Sequence, residues 1–299
     1  KGQPLPKEAK AAPAPAATLS VDQLLMAYGN CIKAAKLNKI TKENTWSYEL
    51  IDDLPKLVVP KTQDDGNGYH PVGNILDAAR QLYEKRVDWL QTESFRVLGG
   101  LGRAQLKPGE EETLDGFNQR PGGRVDMVLD SLPEVVAAGA NWPWAPVVRA
   151  ILGKNASLNY TGCVVSRPGD TVQNWHIDGV HTNLDQHAAA DRIIVFCPLT
   201  DLTEATGCTE FVPTSHFASR GADAKFKNVS HMKRARHYVH AGTPLVMDYR
   251  LWHRGLPNTG TKDRYLLYAV YQTAKGKRAL EDTGGDLVAL GQRKFLRAE

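Results

Sequence analysis

The stretch Gln173–Gly179, which reads QNWHIDG, places an imidazole and a carboxylate two positions apart, at His176 and Asp178. Side chains two apart in an extended strand project from the same face, so both groups can reach one metal ion. His253 lies 75 residues beyond Asp178 and follows the apolar, strand-like run Leu245–Met247. Two imidazoles and one carboxylate can hold one face of Fe(II) and leave its other positions open. We therefore predict that His176, Asp178 and His253 are metal ligands and form the catalytic centre.

Arg264 follows 11 residues after His253. A guanidinium binds a carboxylate through two parallel hydrogen bonds, which suits the far end of a dicarboxylate co-substrate. We predict that Arg264 binds such a co-substrate; the alternative, a surface ion pair, contributes about 0–1 kcal/mol. Gln173 is a further candidate for co-substrate binding, because it closely precedes the first ligand. Arg192 begins a strand that would cross the core, and it is a candidate for contacting the co-substrate or the substrate.

Three stretches together resemble the phytanoyl-CoA dioxygenase family of Fe(II)- and 2-oxoglutarate-dependent oxygenases. They are Gln173–Gly179, Thr206–His216 (TGCTEFVPTSH, similar to the family's NGxLxxxPGSH segment) and Trp252–Gly260 (WHRGLPNTG), which leads to Arg264. Thr214 stands where the family usually has glycine, and this departure concerns the shape of a connecting turn. The resemblance covers residues from about 155 to 273, and its motifs are hypotheses that need their structural context.

The resemblance implies Fe(II) on the three ligands, 2-oxoglutarate and O2 as co-substrates, and Arg264 on the distal carboxylate. The implied reaction is oxidation of an unactivated C–H bond by hydroxylation, desaturation or oxidative cyclisation, with release of succinate and CO2. Related iron halogenases replace the carboxylate ligand by a small residue, so Asp178 argues against halogenation. Three functions stay open: oxidation of a small, carboxylate-bearing metabolite in specialised-metabolite biosynthesis, acyl-CoA 2-hydroxylation of the phytanoyl-CoA type, and non-enzymatic metal binding by a jelly-roll protein.

The hydrophobic pattern has a period of two from residue 155 onward, with short apolar runs separated by Gly/Pro turns. This pattern indicates a β-sandwich or barrel, and the resemblance implies a double-stranded β-helix (a cupin-like jelly roll) with helices outside it. Strands are predicted at 124–129, 157–166, 192–199, 209–212 and 265–273, with one or two more at 237–247 that are broken at Ala241–Gly242. Helices are predicted at 20–35, 74–95, 132–138 and 144–152. We expect a flexible leader at 1–18 and one domain at 19–299, with a helical part at 19–153 and a motif-bearing jelly-roll part at 154–275.

The composition is that of an ordinary globular protein, with 42% hydrophobic and 23% charged residues among 299. A net charge of +4 suits an anionic small-molecule substrate, although solubility alone also explains it. The sequence contains no run of 18 apolar residues, so it predicts no membrane span. The basic run at 225–236 has too little aromatic interleaving for nucleic-acid binding. We expect a small-molecule substrate, no nucleic-acid or membrane partner, and a monomer or homodimer.

The four cysteines match neither a disulfide framework nor a zinc module. Cys163 and Cys197 lie in apolar runs and are predicted to be reduced core residues. A reducing compartment would also keep iron as Fe(II), so we expect a cytoplasmic location. The sequence does not begin with Met, so a targeting segment upstream of Lys1 stays open.

Candidates for contacting the primary substrate are Trp175, His181, Arg103 and Arg124. Trp175 and His181 are close to the predicted ligands in sequence, while the two arginines belong to the N-terminal half. The basic run at 225–236 is either a solvated surface, as most charge runs are, or a lid that recruits an anionic substrate.

Overall fold

The computed structural model describes residues 48–50, 71–90, 117–119, 124–130, 132–139, 142–179, 188–217 and 232–274. Predictions for the leader at 1–18, the helix at 20–35, His181, Arg103 and the first part of the basic run lie outside the described residues. The strands, numbered in chain order, are β1 (Tyr48–Leu50), β2 (Phe117–Gln119), β3 (Val125–Val128), β4 (Ser157–Ser166), β5 (Arg192–Pro198), β6 (Thr209–Phe211), β7 (Ala235–Arg236), β8 (Leu245–Asp248), β9 (His253–Gly255) and β10 (Arg264–Gln272). The helices are α1 (Pro71–Leu90), α2 (Pro133–Gly139) and α3 (Ala145–Leu152), with a 3₁₀ turn at Ser215–Phe217.

Two antiparallel sheets make up the described fold. The larger has seven strands in the order β1-β8-β5-β10-β4-β3-β2, and the smaller has three in the order β7-β6-β9. In the large sheet β10 is central, because it pairs with β4 on one side and β5 on the other. The strands β1, β2 and β3 come from the part of the chain predicted to be helical, so the sheet extends beyond the predicted jelly-roll part.

The two faces of the large sheet have different partners, and β10 shows this by alternation. Tyr265 and Leu267 belong to the apolar cluster that includes α1 and α3, whereas Leu266 and Tyr268 belong to a second cluster that includes Phe211 of the small sheet. Side chains at successive positions of a strand point to opposite faces. The helices therefore cover the outer face of the large sheet, and its inner face looks toward the small sheet.

The helices are held on the outer face by regularly spaced apolar side chains. In α1, Ile75, Ala79 and Tyr83 recur every fourth residue and are all buried, as a helix with one core-facing stripe requires. Trp142 and Trp144 stack with ring centroids 4.7 Å apart, and Trp144 Nε1 donates a hydrogen bond to the Tyr271 hydroxyl at 2.9 Å. Burying side chains of this size stabilises the fold by about 1.5–3 kcal/mol each.

The mainly β fold class with flanking helices is confirmed. Most predicted elements appear within a few residues of their expected limits. The break predicted at Ala241–Gly242 is present, because β7 ends before it and β8 begins after a turn in which Gly242 has φ 85°, a conformation that glycine adopts at little cost. Cys163 and Cys197 are buried and free of disulfide bonds, as predicted. Among the described helices, none is both long and apolar enough to cross a membrane.

Candidate metal centre

His176, Asp178 and His253 converge at one point between the two sheets. Their potential ligand atoms all lie within 4.8 Å of one another, and His253 Nε2 is 3.6 Å from Asp178 Oδ2. The backbones of His176 and His253 are paired directly, since each amide donates to the other's carbonyl, at 3.0 and 2.9 Å. His253 begins the strand β9, and the pairing of this strand with the chain at His176 brings the two histidines together.

Backbone carbonyls fix the orientation of both imidazoles. Nδ1 of His176 lies 2.8 Å from the Asn174 carbonyl, and Nδ1 of His253 lies 2.9 Å from the Leu251 carbonyl. A carbonyl only accepts, so each Nδ1 must carry the proton and each Nε2 presents its lone pair. Metal-binding histidines are commonly oriented in this way by a bond from the other ring nitrogen. The donor set of two Nε2 atoms and one carboxylate therefore fits a divalent first-row metal such as Fe(II).

Arg264 lines the same cavity as the three ligands. Its Nη1 donates to the carbonyls of Thr206 and Leu256 at 2.8 and 3.2 Å. Among the described residues its Nε and Nη2 have no hydrogen-bond acceptor, although the side chain is 3% exposed. Burial, followed by the nearby charge of Arg124, lowers the pKa of Arg264 to about 10, so it stays charged at neutral pH. A guanidinium with one edge anchored and the other free is prepared for a carboxylate.

Arg124, proposed from the sequence as a substrate contact, lines this cavity beside Arg264. It is fully buried, and its Nη1 and Nη2 donate to the carbonyls of Thr171 and Leu256 at 2.6 and 2.7 Å. Its Nε is 3.5 Å from Asp170 Oδ2. Burial lowers the pKa of Arg124, and the Asp170 carboxylate opposes that shift. Both arginines therefore bind the Leu256 carbonyl, and their guanidinium groups lie close enough for the charge of Arg124 to act on Arg264.

Gly207 and Gly255 allow the chain to pass close to these arginines. Gly207 has φ 75°, and a Cβ there would lie 2.8 Å from Arg264 Nη1. A Cβ on Gly255 would lie 2.6 Å from Gln173 Oε1, which accepts a hydrogen bond from the Gly255 amide at 2.8 Å. Gln173 therefore lines the cavity and also braces the strand that carries His253. Its role as a co-substrate ligand stays a prediction.

Trp175 points away from the metal cavity. It is 3% exposed and lies under two guanidinium groups, those of Arg254 and Arg234, whose Cζ atoms are 4.3 and 5.4 Å from its ring. Arg254 also donates to Glu210, which accepts a second pair of bonds from Arg236. The described end of the basic run is therefore a packed network around Trp175 and Glu210.

Arg192 does not join the cavity that holds Arg264. It begins β5 at the other end of the inner face, opposite Gln272 of β10. The turn at Thr214, where the sequence departs from the family pattern, has φ 67°. A residue other than glycine is strained in that region, which explains why glycine is usual there; the Thr214 hydroxyl donates to the neighbouring Pro213 carbonyl at 2.6 Å.

The residues that form the walls of the cavity were not predicted from the sequence. Ile194 and Phe196 of β5 and Leu266 and Tyr268 of β10 line the cavity, and the Tyr268 hydroxyl donates to Asp126 at 2.8 Å. The signal was available, because counting in twos from Arg192 and from Arg264 selects these side chains. No nearby feature of the sequence predicts the hydrogen bond between Tyr268 and Asp126.

Comparison with protein families agrees with this geometry. The model for phytanoyl-CoA dioxygenase (PhyH) matches residues 65–266, which is more than half of the chain. The chain belongs to the phytanoyl-CoA dioxygenase family. It is therefore an Fe(II)- and 2-oxoglutarate-dependent oxygenase, and the predicted class of enzyme and its cofactors are confirmed.

Solved structures with the same fold include three proteins of low sequence identity. AviO1 from Streptomyces viridochromogenes Tue57 has a TM-score of 0.56 at 16% identity, covering 83% of this chain and 96% of that one. The carbocyclase SnoK from nogalamycin biosynthesis has a TM-score of 0.55 at 17% identity, covering 79% and 85%. EctD from S. alaskensis, with 2-oxoglutarate and 5-hydroxyectoine, has a TM-score of 0.54 at 14% identity, covering 89% and 84%.

A second family model, condensin complex subunit 2, matches residues 4–123 and overlaps the first between 65 and 123. The condensin subunit of Arabidopsis thaliana is 39% identical over 85 residues, and that of Homo sapiens is 34% identical over 96 residues. These alignments cover 27% and 31% of this chain but only 12% and 13% of the relatives. The chain thus spans a small fraction of the curated relatives it matches. Within the overlap, α1 and β2 pack into the oxygenase fold.

Proposed function

We propose that this oxygenase oxidises an unactivated C–H bond of a small, carboxylate-bearing metabolite. The observation that carries the proposal is the convergence of His176, Asp178 and His253 in one cavity with the free edge of Arg264. The product forms by hydroxylation, desaturation or oxidative cyclisation, and succinate and CO2 are released.

The residues of the site have separate tasks. The chemistry that iron, 2-oxoglutarate and O2 supply when bound is C–H oxidation coupled to decarboxylation of 2-oxoglutarate. His176 and His253 present Nε2 because their Nδ1 atoms are engaged by carbonyls, and Asp178 adds one negative charge to the ligand set. Arg264 holds the distal carboxylate, so that the dicarboxylate has one orientation relative to the metal ligands. The apolar walls keep water from the reacting groups.

Two other functions are weaker. Acyl-CoA 2-hydroxylation of the phytanoyl-CoA type shares the same metal site and differs only in its substrate. The small-metabolite reading is supported by similar solved structures whose names refer to nogalamycin biosynthesis and to 5-hydroxyectoine. A protein that only binds a metal would not need the complete ligand set together with a buried arginine that has unused hydrogen-bond donors.

The test is anaerobic reconstitution with Fe(II) and 2-oxoglutarate, followed by addition of air and of fractionated metabolite pools. We expect succinate formation that depends on a pool component and on Asp178, so that Asp178→Ala is inactive. His240→Ala is the matched control, because this histidine is exposed and does not line the metal cavity. Turnover with acyl-CoA esters and with no small metabolite would overturn the substrate class, and metal binding that survives Asp178→Ala would overturn the site.

We also propose, on the condensin-like match alone, that the part of residues 4–123 outside the oxygenase sheet and helices binds a partner subunit of a condensin-type complex. The matching identity of 39% over 85 residues supports this. The test is binding of the full chain to purified condensin subunits, measured by gel filtration. Separate elution at micromolar concentrations would overturn this second proposal and leave the oxygenase assignment intact.

A further inference from the structure

Arg192 is a buried cation without hydrogen bonds in the part of the chain that the structure describes. Its side chain is 2% exposed, and Nε and Nη1 are buried without an acceptor. The nearest carboxylate, that of Asp191, is 3.8 Å from Nε, which is beyond hydrogen-bond distance. Among the described residues, the guanidinium also contacts the face of the Tyr249 ring, whose centroid is 5.2 Å from Cζ. A guanidinium has five donors, and leaving buried donors unsatisfied is costly, so this arrangement calls for a ligand.

The guanidinium lies beside the metal centre but away from Arg264. Ile194 and Phe196, the next alternate residues of β5, line the metal cavity, so Arg192 continues the same inner face. A Cβ on Gly179, the residue after the ligand Asp178, would lie 3.5 Å from Arg192 Cζ. Arg264 and the residue that pairs with Arg192 are at opposite ends of β10, about 26 Å apart at roughly 3.3 Å per residue. Arg192 is thus separate from Arg264, the residue assigned to 2-oxoglutarate.

Gln272 adds a second unsatisfied group at the same place. It pairs in register with Arg192, its side chain is buried, and Oε1 has no partner among the described residues. These two neighbouring polar side chains therefore carry donors and an acceptor without partners among the described residues, on the face of β5 and β10 that also lines the metal cavity. Such a pair suits a molecule with an anionic group and an adjacent polar group.

We propose that Arg192 binds the carboxylate of the primary substrate and that Gln272 binds a polar group next to it. This inference rests on the proposed function and sharpens it, because the anion would lie near the residue that follows Asp178. In the substrate, the carboxylate would therefore be only a few bonds away from the carbon that is oxidised. Arg264 would hold one carboxylate, that of 2-oxoglutarate, and Arg192 another.

The first test compares two buried arginines under the same substitution. Arg250 is as buried as Arg192, but it donates to both oxygens of Asp248 and to the Ala188 carbonyl. Arg192→Met should leave the melting temperature of the ligand-free chain unchanged or raised, because it removes donors that lack acceptors. Arg250→Met should lower it clearly. A comparable drop for Arg192→Met would show a structural role and overturn the proposal.

The second test uses pairs of small carboxylic acids and their carboxamides as probes, in succinate-coupled turnover by the full chain with Fe(II) and 2-oxoglutarate. We expect an acid to be accepted and its amide rejected. In Arg192→Met the KM for that acid should rise about 10- to 150-fold, with a smaller change in kcat and an unchanged Kd for 2-oxoglutarate. Arg192→Lys should recover part of the loss.

The outcomes distinguish failure of the carboxylate proposal from failure of the proposed oxygenase function. If 2-oxoglutarate binds but acids and amides are used equally, or if Arg192→Met does not alter the KM, the carboxylate proposal fails while the oxygenase stands. If Arg192→Met weakens 2-oxoglutarate as strongly as the acid, Arg192 belongs to the co-substrate site. If 2-oxoglutarate fails to bind the wild-type chain, the proposed function itself fails.

Discussion

Replacing Arg264 by lysine separates the charge of this side chain from its geometry. Nη1 is occupied by two backbone carbonyls, so Nε and Nη2 are left for a carboxylate. A lysine keeps one charge but cannot form two parallel bonds. Loss of one hydrogen bond to a charged group costs about 1.5–3 kcal/mol, which corresponds to about 10- to 150-fold weaker binding of 2-oxoglutarate.

The same substitution should create a pH dependence that the wild type lacks. Burial and the neighbouring Arg124 lower the pKa of Arg264 from 12.5 to about 10, so the wild-type group stays charged up to about pH 9. A lysine has a lower ordinary pKa than an arginine, and the same burial and neighbouring charge lower that pKa further. The lysine therefore loses its charge at a lower pH than the wild-type arginine. Binding of 2-oxoglutarate by Arg264→Lys should weaken further as the pH rises, whereas binding by the wild type should not.

The assay is anaerobic calorimetry of 2-oxoglutarate with Mn(II) in place of iron, between pH 6.5 and 9. Arg236→Lys is the control, because its guanidinium is half exposed and binds Glu210 outside the cavity. The reasoning is refuted if Arg264→Lys changes the Kd by less than about threefold, a loss smaller than one charged hydrogen bond. It is also refuted if the KM for the primary substrate rises as much as that for 2-oxoglutarate.

Three further outcomes are expected. His253→Ala should abolish metal binding and turnover while leaving the thermal unfolding of the metal-free chain largely unchanged, as calorimetry with Mn(II) and melting curves would show. Arg250→Met should destabilise the fold by about 3–5 kcal/mol in denaturant titrations, because it leaves the buried Asp248 carboxylate without its partner. The Glu210 carboxyl is desolvated, but two arginines outweigh this and lower its pKa, so its contribution to stability is present at neutral pH and lost as the pH falls through the lowered pKa. Glu210→Gln should reduce that acid-side loss, and an unchanged pH profile of the melting temperature would contradict it.

The metal ligands could be predicted because their chemistry is encoded locally. The two-residue spacing of His176 and Asp178 fixes a common direction for both side chains. The step from His253 to Arg264 spans one turn and the start of one strand. The long gap between these two pairs did not matter, since the strand pairing of His176 with His253 is required by the chemistry itself.

Features that depend on distant pairing were not accessible in the same way. Arg124 was singled out as a substrate contact, but its position beside Arg264 follows from the register of β3 against β4. The Tyr268–Asp126 bond joins residues 142 apart. Sequence periodicity gives the face of a strand but not the neighbour it will meet, so the walls and the second arginine of the cavity needed the fold.

The buried arginines around the centre show that burial alone does not identify a binding group. Arg250 is buried, yet its donors are taken up by Asp248 and a carbonyl, and its role is to hold the fold. Arg124 is held by two carbonyls, and Arg264 by carbonyls on one nitrogen only. Arg192 has no hydrogen bond among the described residues. Because each unmet buried donor is costly, this order from satisfied to unsatisfied is also the order of increasing need for a ligand. Replacing these arginines by Met one at a time should therefore lower stability at the satisfied positions and weaken ligand binding at the unsatisfied ones. The stability part of this series can be measured without knowing the substrate.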